Sequence, residues 1–183
     1  AAELAWRDAG LTHSRSGLYA AMLVAAAVAA AFTTSKPLEP LRIGLQYVPR
    51  TSRLHDRFSR ALALVEAAPD WLAGYRAVNE LLGEYSHCAV FQELGLLANT
   101  LRHATDPGHG ICLQVMQGAD TDSFGATAGS LLGARYAPQR IAPCWLEPFR
   151  DTIHVALAKH YDPSLTRLVE RLAALPGLRH STG

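Results

Sequence analysis

Two carboxylates separated by a single residue, Asp120 and Asp122, are followed at once by the hydroxyl of Ser123. They lie in the stretch Met116-Gln117-Gly118-Ala119-Asp120-Thr121-Asp122-Ser123-Phe124-Gly125, between an apolar segment and a run of small residues. These side chains offer only oxygen, the donor preferred by magnesium, calcium or manganese, and none of the sulfur or clustered imidazole that zinc or iron favours. A helix beginning near Ser123 would add free backbone N–H groups that stabilise the gathered negative charge. Asp and Ser are also ordinary helix N-caps, but one cap explains one Asp and leaves the second without a role. Beyond the motif, Gly125, Gly129 and Gly133 fall on one helical face. Each glycine costs about 1 kcal/mol against alanine inside a helix, so the stripe predicts close approach by a second helix or a ligand.

The elements that must hold this motif read as helices. The chain of 183 residues fits one domain, 1–183, with a sizeable core. Seventeen basic and sixteen acidic residues give a formal charge of +1, which argues against a broad nucleic-acid surface. A hydrophobic fraction of 49%, rich in Ala and Leu, favours an all-α fold. Cys88, Cys112 and Cys144 follow no metal-ligand spacing and suit a reduced, cytoplasmic setting. Leu18 to Phe32 is strongly apolar, yet it falls short of the roughly twenty residues that cross a bilayer and reads as a buried helix. No membrane partner is expected.

In order, a helix ends at Ala9 before Gly10, and a polar turn at Leu11 to Tyr19 starts the apolar helix that runs to about Thr33. A short helix follows at Leu41 to Gln46. Thr51 or Ser52 caps a helix with the stripe Leu54, Phe58, Leu62 and Val65, and Asp70 caps another from Trp71 to Leu82. A long helix opens at Ser86 to Val90 and reaches about His103. Thr105 to Gly110 reads as a turn, Ile111 to Gln117 as a helix, and Tyr136 to Pro143 as an extended connection. A helix from Pro143 is expected to face Leu146, Phe149, Ile153 and Leu157 inward. Asp162-Pro163 should start the last helix, to about Leu175, with 176–183 a loose tail.

The run from Cys112 to Ala134 resembles the C-terminal signature of the ADP-ribosylglycohydrolase family, G-x-D-T-D then Ser, Thr or Cys, followed by G-A-x-A-G-x-x-x-G. The resemblance implies a multi-helix orthogonal bundle that hydrolyses the glycosidic bond between ADP-ribose and an acceptor. It implies a centre of two magnesium ions, with manganese an alternative. Asp120, Asp122 and Ser123 would be metal ligands, and Asp120 and Asp122 catalytic. His13, Gly17, Tyr19, His87 and Gly118 would be substrate-binding. Partners implied are an ADP-ribosylated protein or a small molecule containing ADP-ribose. The sequence departs from the family's V-P-N-A-A at Ala89-Val90-Phe91-Gln92-Glu93. It also holds neither the T-D-D motif nor the G-D-A-x-G-x-P-x-E segment that would supply the remaining ligands and the general base. The expectation is therefore the C-terminal portion of such a domain, incomplete by itself and partnered by a missing N-terminal segment. The alternative is a non-catalytic helical structural or binding module of the same fold.

Overall fold

The computed structural model describes residues 1–136, 138–154 and 163–175, and among these it is helical with no strand. It forms two compact units, residues 1–140 and 141–183. The first carries the acidic motif. Its helices are α1 (Ala2–Ala9), α2 (Arg15–Ala31), α3 (Glu39–Leu45), α4 (Arg53–Ala67), α5 (Trp71–Leu82), α6 (Val90–His103), α7 (Pro107–Met116) and α8 (Thr121–Arg135).

The expected bounds of α4 and α5 hold because short polar residues terminate them. Ser52 accepts from the His55 N–H at 3.1 Å and Asp70 from the Ala73 N–H at 2.8 Å. The α4 stripe Leu54, Phe58, Leu62 and Val65 is fully buried. Thr105 to Gly110 is not a free turn: Asp106 caps the His109 N–H at 2.9 Å and Pro107 takes the first helical position, so α7 starts there.

Helix α6 is the axis of this unit. Every residue from Leu94 to Leu101 is buried, so it has no solvent face over that span, and it packs against α2, α4, α5, α7 and α8. Helices α7 and α8 pack on each other; the link between them, Gln117 to Asp120, carries the first carboxylate and the first turn of α8 carries the second, Asp122. No helix among the described residues is long and apolar enough to cross a membrane.

Two expectations are corrected. No second helix comes close to the glycine stripe of α8: a Cβ on Gly125 would lie 3.4 Å from Val115, one on Gly129 3.6 Å from Ile111, and one on Gly133 would meet nothing within 4 Å. These are ordinary contacts or open space. The tight crossing is at Gly44 instead, where a Cβ would stand 2.4 Å from the Leu23 carbonyl oxygen.

In the second unit the helix expected from Pro143 is absent. Two short 3-10 turns, Pro143–Trp145 and Glu147–Phe149, take its place, and Arg150 and Asp151 then adopt left-handed backbone. Pro148 is the cause, since it lacks an N–H and its ring clashes with the preceding helical turn. Leu146 and Phe149 are exposed, not inward, and Leu157 lies outside the described residues. Helix α9 (Leu165–Ala173) is capped by Ser164, which accepts from the Arg167 N–H at 3.1 Å. Asp162 and the expected tail 176–183 lie outside the described residues.

Candidate functional site

Helix α8 begins with Asp120 in the N-cap position, yet the Asp120 side chain makes no cap hydrogen bond to the helix. Asp70 and Asp106, in the same position on α5 and α7, both do. The difference follows from the backbone leading in. Gly118 has φ 74° and Ala119 has φ 63°, so the chain enters α8 through two left-handed residues, and Asp120 itself has ψ 81° where a capping residue is extended. The ordinary use of an aspartate at a helix start is therefore not the use made of Asp120.

Its carboxylate faces other polar groups instead. The Ser123 hydroxyl, first, and then Asp122, Cys88 and the nearby His87 hold the Asp120 carboxyl below the usual carboxylate range. Loss of solvent and the charges of Asp120 and Asp122 push the Cys88 thiol up. Asp122 and Ser123 are exposed on the first turn of α8, and His87 is exposed on the turn before α6. The structure thus gathers Asp120, Asp122, Ser123, His87 and Cys88 at one place, with Gly118 supplying the left-handed bend.

The other expected site residues divide between two cavities. One, of about 330 Å³, is lined by Asp8 of α1, by Thr12 and His13 of the α1–α2 turn, by Gly17, Ala20, Ala21 and Val24 of α2, and by Val90, Glu93 and Thr127. No Lys or Arg is among these lining residues. The second, of about 410 Å³, holds Tyr19 with Arg15, Ser16, Pro49, Thr51, Ser52 and Arg53. Tyr19 therefore lines a different cavity from His13. The first cavity is acidic and hydroxyl-lined on an apolar wall; the second offers guanidinium groups and hydroxyls.

Glu93 is the residue that sequence reasoning passed over. It is half-buried on α6 and accepts a hydrogen bond from the Thr127 hydroxyl of α8 at 2.8 Å; that hydroxyl also lies 3.1 Å from the Ser123 carbonyl. No cation pairs with it among the described residues. Burial pushes its carboxyl up, the Thr127 hydroxyl opposes this, and the Asp120 charge adds to the rise. The signal was present as a departure, because Glu93 stands in the segment that differs from the family pattern.

A raised folded-state carboxyl contributes stability below its unfolded pKa and loses it as pH rises through the folded value. Glu93→Gln removes that loss. Its thermal midpoint is expected to exceed wild type by about 2 °C or more near neutral pH, the gap closing toward about pH 4. A constant gap across that range would show that Glu93 does not titrate in this way.

Whether the acidic turn suits a divalent ion can be judged from its donors. Asp120, held ionised, stands beside Asp122 and the Ser123 hydroxyl at the start of α8, and oxygen donors of this kind suit a hard cation. Among the described residues no group of three or more His, Cys, Asp or Glu is arranged to enclose a metal, so these donors make an open, partial set. Comparison with curated proteins gives no match, and comparison with solved structures gives none. The family model for ADP-ribosylglycohydrolase matches residues 1–181. With that match spanning almost the whole chain, the chain belongs to the ADP-ribosylglycohydrolase family.

Proposed function

We propose that the protein is a magnesium-dependent hydrolase of the glycosidic bond joining ADP-ribose to an acceptor, with Asp120, Asp122 and Ser123 as its metal-holding residues in this chain. Family membership supports ADP-ribosyl hydrolase chemistry in general. The single observation that carries the finer reading is that Asp120 occupies an N-cap position without capping, which leaves its carboxylate for another use.

Such a bond breaks through an oxocarbenium-like state at the ribose carbon, so positive charge develops where negative groups can stabilise it. When bound, magnesium supplies orientation of oxygen groups and Lewis-acid polarisation. The chain's own residues supply the rest. Asp120 and Asp122 keep negative charge at the head of α8. Glu93, Thr127, His13 and Gly17 line a sugar-sized cavity together. That cavity, with no Lys or Arg in its lining, suits the ribosyl end of the ligand. The Arg15, Arg53, Thr51 and Ser52 cavity, with Tyr19, suits its phosphates. The general base is assigned to none of these residues.

The reading is tested by incubating the protein with ADP-ribosylated arginine and serine peptides and an ADP-ribosylated nucleic-acid end, with magnesium and with EDTA. Release of ADP-ribose from one of them that stops on chelation supports the reading for this chain. No release while magnesium still binds is the result expected of a chain incomplete by itself, and no release with no magnesium binding favours the non-catalytic module.

A further inference from the structure

Four polar side chains inside the first unit, Asn99, Thr100, Gln114 and Gln117, are withdrawn from solvent as fully as the leucines around them. Buried polar groups cost free energy unless they are hydrogen-bonded, and these bond largely to one another. Gln117 donates from Nε2 to the Leu96 carbonyl at 3.1 Å and to Thr100 Oγ1 at 2.8 Å. Its Oε1 accepts from Asn99 Nδ2 at 2.8 Å, and Asn99 Nδ2 also donates to the Trp71 carbonyl at 3.0 Å. Thr100 in turn donates to Gln114 Oε1 at 2.8 Å. Both donors of the Gln117 amide are used and its oxygen is engaged, so it has one orientation: reversal would set donor against donor at Asn99 and acceptor against the Leu96 carbonyl.

Gln117 is also the residue at which α7 ends. The next two residues are the left-handed Gly118 and Ala119, and the third is Asp120. Glycine adopts that backbone freely, but alanine does so at a cost of roughly 1–2 kcal/mol. Such strain persists only where both flanks are fixed more firmly than the strain is costly. Downstream, the Phe124 N–H bonds the Asp120 carbonyl at 3.0 Å and the Phe124 ring is buried in the core. Upstream, the fixed point is the Gln117 amide, held by α6 from Leu96 to Thr100.

We infer that Gln117, with Thr100 and Asn99, is the positioning group of the acidic turn: this buried amide clamp sets where the Asp120 and Asp122 carboxylates stand, and so the affinity of the cation site. The inference rests on the cation reading above. The clamp acts through the intervening backbone and gives α6, the most buried helix, control over an exposed motif.

Manganese(II) binding by electron paramagnetic resonance, checked with terbium(III) luminescence, reads the site without turnover. All variants are compared where circular dichroism shows them folded. Wild type saturates. Thr100→Val, which deletes the hydroxyl and keeps the volume, and Gln117→Leu each weaken manganese binding by about tenfold. Thr100→Ser, which retains the hydroxyl, stays within about twofold of wild type, as does Leu97→Ala, which weakens the same helix outside the clamp. If Gln117→Leu does not fold, the Thr100 pair decides. Wild-type binding that Thr100→Val reduces no more than Thr100→Ser or Leu97→Ala overturns the clamp and leaves the cation site standing. Absence of manganese binding by wild type overturns the cation site, and the clamp with it.

Discussion

Asp122→Ala is expected to reduce magnesium affinity by about a hundredfold or more, and to abolish any magnesium-dependent release of ADP-ribose. Asp120 and Asp122 are the two carboxyl groups at the start of α8 among the described residues, and removing one leaves a divalent ion a single carboxylate ligand there. A structural aspartate would behave differently. Asp70→Ala, which deletes a true cap, should cost about 1 kcal/mol of stability and leave magnesium binding untouched. The pH dependence separates the cases again. The Ser123 hydroxyl holds the Asp120 carboxyl below the usual range, so Asp120 is ionised throughout the neutral region. A carboxyl lowered on folding contributes stability above its unfolded pKa and loses it as pH falls through the folded one. Cation affinity should follow the same course: flat near neutrality, then declining in acid as the proton competes. Isothermal titration of magnesium into wild type and variant reads the affinity. Equal, tight binding to both would remove Asp122 from the site.

The parts of this fold that the sequence made legible are those set by local chemistry. Leu54, Phe58, Leu62 and Val65 recur at helical spacing, and Ser52 and Asp70 cap by bonding an N–H three residues on, so both spacings lie within one turn. The acidic turn was legible for the same reason, since its residues are consecutive. What failed depended on partners remote in sequence or on one overlooked residue. The glycines of α8 looked like a contact face because glycine is costly in a helix, but whether anything approaches them is a property of α7, not of α8. Pro148 rules out a helix through Phe149, although the spacing of Leu146, Phe149 and Ile153 alone suggests one. Glu93 meets Thr127 across 34 positions, so no local pattern could pair them. The amide clamp is of that kind too: Asn99 and Gln117 stand on either side of α7, and polar residues on a buried helix give no periodic signal.

Glycine substitutions should divide sharply by position, with Gly44→Ala strongly damaging. At Gly44, α3 crosses α2 so closely that a methyl would lie 2.4 Å from the Leu23 carbonyl oxygen and 3.2 Å from its carbon. The obstructing atoms are backbone, which cannot swing aside as a side chain can, so α2 and α3 must separate. Overpacking of this kind costs about 3 kcal/mol, equivalent to roughly 6–12 °C in the thermal midpoint for a chain of this size. Gly133→Ala should do the reverse. Its methyl meets nothing within 4 Å, and alanine is favoured over glycine in a helix by about 1 kcal/mol, so stability should rise. Thermal and denaturant unfolding of the two variants measure both. Were Gly133→Ala to cost as much as Gly44→Ala, the space beside α8 would have to be filled in the working protein. Were it to stabilise the fold while abolishing hydrolysis, the ligand itself would be what fills that space.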